Sequence, residues 1–156
     1  MVIEGNVNLS NCKNLVRLKG ITEIKGNLDL DNCPNFKDLG ELKKVGENLY
    51  FRDTLIEDLG NLEKVGGSLD LDNTQIKSLG KLKKVGGSLD LDNTQIKSLG
   101  ELEKVGRSLY LNNTQIKDLG SLKEVTLCIF LSKDSKITEE YIKKYKPELF
   151  EGCEWQ

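Results

Sequence analysis

The 156-residue sequence contains no histidine, so its serines lack the base that most often activates a hydroxyl nucleophile. For serines such as Ser68 and Ser88, Ser–Lys chemistry would require a buried lysine, which the polar positions around them do not supply. The absence of histidine and of any C-x-x-C motif also removes support for a zinc site. The sequence therefore predicts no catalytic residues, no cofactor and no metal.

Long apolar runs and a basic charge excess are missing as well. No run approaches the roughly 20 apolar residues of a membrane-spanning helix, and the opening MVIEGNVNLS lacks the basic and apolar regions of a signal peptide. The 23 basic and 25 acidic side chains give a net charge of −2, which argues against binding nucleic acid mainly by phosphate neutralisation. We expect a cytoplasmic protein that binds neither membrane nor nucleic acid. A secreted or surface location is the alternative if the chain is a trimmed form.

The dominant feature that is present is an internal repeat. Residues 65–80 and 85–100 are the same sixteen letters, VGGSLDLDNTQIKSLG, and related copies recur every 20 or 21 residues. A period this short and regular predicts a solenoid whose coils bury their apolar faces against neighbouring coils. About seven repeats, from residue 3 to residue 137, are identified by a central apolar pair: Val7/Leu9, Leu28/Leu30, Leu49/Phe51, Leu69/Leu71, Leu89/Leu91, Leu109/Leu111 and Ile129/Leu131.

Each repeat contains one clear strand pattern. Residues 88–92 alternate polar and apolar side chains, which is typical of a short strand with one buried face. Beyond the turn at Asn93, apolar residues follow at intervals of three, and this spacing favours a thin 3₁₀-like or irregular return over an α-helix. We therefore expect one parallel sheet, with its strands centred on the apolar pairs.

The segment Leu89-Asp90-Leu91-Asp92-Asn93-Thr94-Gln95-Ile96 follows the pattern L-x-L-x-x-N/C-x-L, and equivalents recur over residues 3–131. In this pattern the chain resembles the leucine-rich repeat family, with threonine in place of asparagine in four copies. The resemblance is closest to the short bacterial or phage-encoded variety. It implies an α/β-type, right-handed solenoid forming a single domain over residues 1–156. It also implies a non-enzymatic protein that binds a macromolecular partner, typically a protein, through the strand face.

Nothing in the sequence argues for a disulfide framework. Cys12 and Cys33 occupy one position of two consecutive repeats, and threonine takes that position in the next four copies. A small side chain with an S–H or O–H donor can satisfy a backbone carbonyl of the adjacent coil. We predict that the side chains of this column are buried and donate such hydrogen bonds: Cys12, Cys33, Thr54, Thr74, Thr94 and Thr114.

The last segment, residues 138–156, is predicted to form a helical cap, because solenoid ends need an element that covers their core. Thr138 is a suitable helix N-cap and Pro147 a suitable stop. An apolar stripe at helical spacing and the apolar residues after it are expected to cover the last coil: Tyr141, Ile142, Tyr145, Leu149, Phe150 and Trp155. A helix that binds a partner is the less favoured interpretation.

Outward positions of the predicted strands form columns, with about 4.8 Å between neighbouring coils. In the middle column Asp70 and Asp90 lie between Tyr50 and Tyr110, and the next column adds two more aspartates. Like charges on adjacent strands destabilise a sheet, and aromatic residues beside an acidic field are typical of an interface for a basic protein. The predicted partner-binding residues are Asp29, Asp31, Tyr50, Arg52, Asp70, Asp72, Asp90, Asp92, Tyr110, Asn112 and Phe130.

Other interpretations stay open. The aspartate pairs come from two nearly identical repeats, which also fits a duplication or a consensus-like structural scaffold without a ligand. A fragment of a larger bacterial or phage surface or effector protein is another alternative. A Ca²⁺ site in the aspartate columns has little support, because EF-hand spacing is absent. The lysines of the return, interspersed with glutamates, are interpreted as a solvated outer face: Lys77, Lys81, Lys83, Lys84 and Lys97.

Overall fold

The computed structural model describes residues 1–150, 154 and 155, with only the backbone described for Phe150, Glu154 and Trp155. The chain forms a parallel β-solenoid of about six turns, in which each coil contributes two very short strands. In chain order the strands are β1 (Val2–Ile3), β2 (Val7–Asn8), β3 (Glu23–Ile24), β4 (Leu28–Asp29), β5 (Lys44–Val45), β6 (Leu49–Tyr50), β7 (Lys64–Val65), β8 (Leu69–Asp70), β9 (Lys84–Val85), β10 (Leu89–Asp90), β11 (Lys104–Val105), β12 (Leu109–Tyr110), β13 (Glu124–Val125), β14 (Cys128–Phe130) and β15 (Glu154–Trp155).

These strands form two sheets. The even-numbered strands, together with β15, form an eight-stranded parallel sheet, here called the front sheet. The odd-numbered strands β1 to β13 form a seven-stranded parallel sheet, here called the return sheet. The prediction of a single parallel sheet is therefore wrong, although the parallel pairing itself is confirmed.

The return sheet forms because each coil repeats the backbone path of the coil before it, displaced along the solenoid by one strand spacing. An extended segment then faces the carbonyls of its neighbour, and Gly86 N donates to Val65 O at 2.9 Å just after strand β9. Each return strand has one outward and one inward residue, such as exposed Lys84 and buried Val85. The rest of the return consists of turns, isolated bridges and irregular chain, with no 3₁₀-helix within residues 1–150.

The core lies between the two sheets and the return segments. In the front sheet the register pairs Leu69 with Leu89 and Leu89 with Leu109, so each coil places its leucine on that of its neighbour. Leu89 and Leu91 are fully buried, as are Val85 and Ile96 from the return. The predicted burial of apolar faces between neighbouring coils is confirmed, and burial of apolar area is the main stabilising contribution in such a repeat.

The turn after each front strand depends on a left-handed residue. Asn93 has φ +58° and its equivalents have similar values. Asparagine tolerates this region better than other non-glycine residues, because its short polar side chain can bond locally. A second left-handed position, Gly100 at φ +55°, reverses the chain before the return strand. These two turns fold the roughly 20-residue period into a closed coil.

In the threonine column Thr54, Thr74 and Thr94 are buried as predicted and Thr114 is only partly buried, but the hydrogen bonds of all four threonines differ from the prediction. Thr74 and Thr94 are 4% and 3% exposed, yet each hydroxyl donates to a carbonyl three residues earlier in its own coil. Cys33 behaves as predicted, because its Sγ lies 3.0 Å from Leu9 O of the preceding coil. Cys12, in the first coil, is only partly buried.

Two helices follow the last coil: α1 (Glu139–Tyr145) and α2 (Pro147–Phe150). Thr138 caps α1 as predicted, since Tyr141 N donates to Thr138 Oγ1 at 3.1 Å. Ile142 and Leu149 are buried, whereas Tyr145 is 58% exposed and does not cover the core. The predicted covering by the side chains of Phe150 and Trp155 lies outside the described residues. Within the described chain, neither helix is long and apolar enough to cross a membrane.

Candidate functional site: the outward face of the front sheet

The outward face of the front sheet carries the predicted partner-binding residues. The register stacks one residue from each coil into a central column, in the predicted order: Asn8, Asp29, Tyr50, Asp70, Asp90, Tyr110 and Phe130. Asp31, Asp72, Asp92 and Asn112 are partly buried beside this column, and Arg52 is exposed. The sequence therefore predicted correctly which residues share the face, and their role in binding stays a prediction.

Aspartates in the central column stabilise the turn that follows each strand. Asp90 Oδ1 accepts a hydrogen bond from Asp92 N at 3.0 Å, and Asp70 Oδ1 accepts one from Asp72 N at 3.2 Å. The same bond joins Asp29 and the backbone N–H of Asp31. This arrangement is the side-chain turn that aspartate and asparagine favour where a strand ends. One oxygen of each carboxylate thus has a structural role.

The aspartates of the neighbouring column connect adjacent coils. Asp92 Oδ1 accepts from Asn112 N at 2.7 Å, and Asp92 Oδ2 accepts from Asn112 Nδ2 at 3.1 Å. Asp31 Oδ1 accepts from Arg52 N at 2.8 Å, and Asp72 Oδ1 accepts from Asn93 Nδ2 at 3.0 Å. These donors are neutral amides, so the hydrogen bonds fix the carboxylates in place without cancelling their charge.

Arg52 makes an ion pair on this face. Its guanidinium lies 2.6 Å from Asp70 Oδ2, with the Arg52 side chain 59% exposed and the Asp70 side chain 14% exposed. The attraction of Asp70 raises the pKa of Arg52. Burial raises the pKa of Asp31, and the neighbouring charges of Asp29 and Asp70 add to that effect. The ion pair reduces the negative charge at one end of the acidic cluster, which consists of Asp70, Asp72, Asp90 and Asp92. The negative potential is therefore strongest around Asp90.

Asp90 is the most perturbed carboxylate of the face. Its pKa is raised to about 6, chiefly by burial and in addition by the nearby carboxylates of Asp92, Asp70 and Asp72, against the lowering effect of the hydrogen bond from Asp92 N. Its side chain makes no ion pair with any residue in the described part of the chain. A cation from a partner would therefore offset both the repulsion between the carboxylates and part of the free-energy cost of burying the charge of Asp90.

Aromatic rings extend the central column beyond the acidic cluster. The rings of Tyr110 and Phe130 stack with centroids 4.6 Å apart and an interplanar angle of 1°. Both side chains are only partly buried, so part of the stack is exposed. Tyr50 lies on the other side, between Asp29 and Asp70 in the register. The adjacent pair Asp70 and Asp90 thus has an aromatic residue on each side in the central column.

The geometry does not group the acidic residues into a metal site. Among residues 1–149 no cluster of three or more histidine, cysteine, aspartate or glutamate side chains is arranged to hold a metal ion. The carboxylates instead follow the coil spacing in two rows, and Asp70, Asp90 and Asp92 each accept a hydrogen bond from a backbone N–H. A multidentate oxygen cage of the kind that Ca²⁺ requires is not formed by this arrangement.

The return sheet carries a second charged column, which was not predicted from the sequence. The outward residues of the return sheet include four lysines on adjacent strands: Lys44, Lys64, Lys84 and Lys104. The signal for it was the recurring Lys-Val pair before each glycine, which is a two-residue alternation of exposed and buried side chains. The interpretation of the return lysines as one solvated face treated Lys84 like its neighbours in sequence and did not separate this column.

Comparison with known proteins finds no matching family model, no matching curated protein and no matching solved structure.

Proposed function

We propose that the protein is a non-enzymatic binding module, and that the outward face of its front sheet recognises a protein partner with a basic patch. The observation that carries this proposal is the central column, where Asp70 and Asp90 stand between Tyr50 on one side and the Tyr110–Phe130 stack on the other. Tyrosine anchors provide much of the binding energy at protein interfaces, and complementary charges beside them give specificity and faster association.

The carboxylates suit this role because they are held in position before a partner arrives. Asp90 and Asp92 accept hydrogen bonds from the chain at 3.0 Å and 2.7 Å, so little side-chain freedom remains to be lost on binding. An ionised carboxylate accepts about four hydrogen bonds, and Asp90 uses only Oδ1 within the described residues. Its other oxygen is available to a lysine or arginine of the partner.

The kinship of the fold is part of the same proposal. A right-handed leucine-rich repeat of the short bacterial or phage-like variety is supported by the buried Leu89, Leu91 and Ile96 and by the threonine column. The second parallel sheet is a departure from the single sheet expected from the resemblance. The capping role of the C-terminal helices is supported by the contacts of α2 with strand β13 and by the burial of Ile142.

A structural scaffold is the alternative function, either alone or within a larger bacterial or phage surface or effector protein. It is favoured by the hydrogen bonds of the aspartates, since a carboxylate that completes a turn at Asp90 or bridges coils at Asp92 needs no ligand to explain it. The two interpretations differ on one point, because only a binding face loses a partner when its charge is removed and the hydrogen bonds of its turns are kept.

The test uses a variant that makes this separation. Asparagine at Asp70 and Asp90 keeps the acceptor oxygen of each turn, asparagine at Asp72 and Asp92 keeps one of their two acceptor oxygens, and all four changes remove the charge. Affinity capture from a lysate of the native host would compare this variant with the natural chain and with a Lys77→Gln, Lys97→Gln control, whose changes lie on the exposed return. We expect a basic protein to be retained by the natural chain and the control and lost by the asparagine variant. Equal recovery by all three would place the binding surface elsewhere.

A further inference from the structure

The lysine column of the return sheet is only partly neutralised within the chain. At its ends Lys44 Nζ lies 2.7 Å from Glu23 Oε1, and Lys104 Nζ lies 2.6 Å from Glu124 Oε1. The register places the two central lysines, Lys64 and Lys84, on adjacent strands. Both are exposed, and neither makes an ion pair with any residue that the structure describes. Two like charges thus stand side by side, which opposes sheet formation.

The neighbouring column does not have this excess. Its residues alternate in sign along the coils, and their backbones are joined in order: Lys43, Glu63, Lys83, Glu103 and Lys123. Lys123 Nζ and a carboxylate oxygen of Glu103 approach to 3.5 Å. This alternating column is nearly neutral along its length. The uncompensated positive charge of the face is therefore concentrated at Lys64 and Lys84.

The lysine pair and the acidic cluster have matched geometry, because both come from the same coils. The coil with Lys64 carries Asp70 and Asp72, and the coil with Lys84 carries Asp90 and Asp92. Charges in both columns are therefore separated by the same strand spacing of about 4.8 Å. When two solenoids lie side by side, the lysine row of one copy has the same spacing as the carboxylate row of the other and the opposite charge.

We propose that the return-sheet face is occupied by a second copy of this chain, whose front-sheet carboxylates Asp72, Asp90 and Asp92 pair with Lys64 and Lys84. This inference rests on the proposed function, since it uses the same front face and names another copy as its basic partner. The net charge of −2 leaves little overall repulsion between copies. Two different faces take part, so the contact is heterologous and continues from copy to copy.

The association is weak and sensitive to salt. Exposed ion pairs contribute little individually, and their attraction is screened when the Debye length falls from about 30 Å at 0.01 M salt to about 8 Å at 0.15 M. Alignment of several pairs along one row gives the contact its specificity, because a shift by one coil leaves a charge at each end without its counterpart. Self-association is therefore expected at high protein concentration and low ionic strength.

The test uses two variants, each of which lacks the charged side chains of one face. Lys64→Gln with Lys84→Gln removes the basic row, and Asp72→Asn with Asp90→Asn and Asp92→Asn removes the acidic row. In sedimentation velocity at about 0.01 M salt, we expect the mean mass of the natural chain to rise with concentration and each variant alone to stay monomeric. An equimolar mixture of the two variants is expected to form dimers and nothing larger, because each variant retains one intact face.

Three results would overturn the inference: a natural chain that is monomeric at low salt, continued self-association of the lysine variant alone, or a mixture of variants that stays monomeric. Circular dichroism and thermal unfolding of each variant show that the fold is retained. A short oligolysine peptide separates this failure from failure of the proposed function. If the natural chain is monomeric but binds the peptide through its aspartates, the front face is a binding surface for a different partner. If the peptide does not bind either, both proposals fall.

Discussion

Thr94 Oγ1 donates a hydrogen bond of 2.7 Å to the carbonyl oxygen of Leu91 in its own coil. The equivalent bonds of Thr54 and Thr74 have nearly the same length, so the threonines of this column, unlike Cys33, close their own turns and do not link one coil to the next. Adjacent coils are joined instead by the two backbone ladders and by side chains such as Asp92 and Asn112. Each of these coils therefore has a side-chain hydrogen bond within its own turn, in addition to its contacts with neighbouring coils.

The first prediction concerns the hydrogen bond from Thr94 Oγ1 to Leu91 O. Thr94→Val keeps the shape of the side chain but leaves the buried Leu91 carbonyl without its hydroxyl donor, so we expect the free energy of unfolding to fall by about 1–2 kcal/mol. Thr94→Ser, which keeps the donor, is the matched control. Urea unfolding followed by circular dichroism measures both. A loss for serine as large as that for valine would show that the methyl group, and not the hydrogen bond, is responsible.

The second prediction concerns the close contact between coils at the glycines. A Cβ on Gly86 would overlap the carbonyl oxygen of Gly66 in the preceding coil, whereas a Cβ on Gly5 would have no atom within 4 Å. Gly86→Ala must push two coils apart and break return-sheet pairing, and we expect a loss of about 1–3 kcal/mol. Gly5→Ala is expected to change stability by less than about 0.5 kcal/mol. Equal effects in thermal unfolding would contradict the close stacking of the return sheet.

The third prediction concerns the pH dependence of stability. Burial and the neighbouring carboxylates raise the pKa of Asp90 from its ordinary value of 3.8 to about 6, so ionisation of Asp90 opposes folding above pH 6. As the pH falls from 6 towards 4, the folded state binds a proton that the unfolded chain does not, and the penalty disappears. Because this side chain is only partly buried, the effect is about 1 kcal/mol after allowance for solvent screening.

Asp90→Asn tests that prediction. It removes the charge and keeps an acceptor for Asp92 N, so it should stabilise the protein by about 1 kcal/mol at pH 7.5 and by nothing below pH 4. Asp90→Ala, which removes the acceptor as well, should gain less at pH 7.5 and be destabilising at low pH. Urea titrations at the two pH values measure these differences. A stabilisation by asparagine that is the same at both pH values would exclude the raised pKa as its cause.

The sequence predicted the solenoid and the front face well, because both follow from local patterns. Alternation over residues 88–92 identifies the strand, and a constant period decides that Asp70 stacks on Asp90 and Asp90 on Tyr110. The pairing of Arg52 with Asp70 was not predicted, since it runs diagonally between columns and depends on the reach of a long side chain. Burial of Asp90, and with it the raised pKa, depends on neighbours from several coils.

The return sheet was missed for a related reason. A strand of two residues, such as Lys104–Val105, is too short for alternation to distinguish it from a turn, and its pairing is specified by the coils on either side. The acceptor of the threonine column was also wrong. The sequence identifies a buried donor, but the left-handed Asn93 brings Thr94 back towards Leu91, and this backbone conformation decides which carbonyl the hydroxyl reaches.

The last prediction separates the roles of charge and aromatic contact in the proposed binding. Asparagine at Asp70, Asp72, Asp90 and Asp92 should slow association by about tenfold or more at low salt, because it removes electrostatic steering. Tyr110→Ala removes one half of the stack with Phe130 and should mainly speed dissociation, by about tenfold or more, with the salt dependence unchanged.

Surface plasmon resonance at about 0.05 M and about 0.5 M salt measures both rates against the captured partner. Lys97→Gln, on the exposed return, is the control for a general change of charge. The raised salt should slow association of the natural chain to the rate of the asparagine variant, because screening and neutralisation act on the same attraction. If salt slows association of the asparagine variant as strongly as that of the natural chain, the steering charges lie on another face, and the lysine column of the return sheet is the first place to look for them.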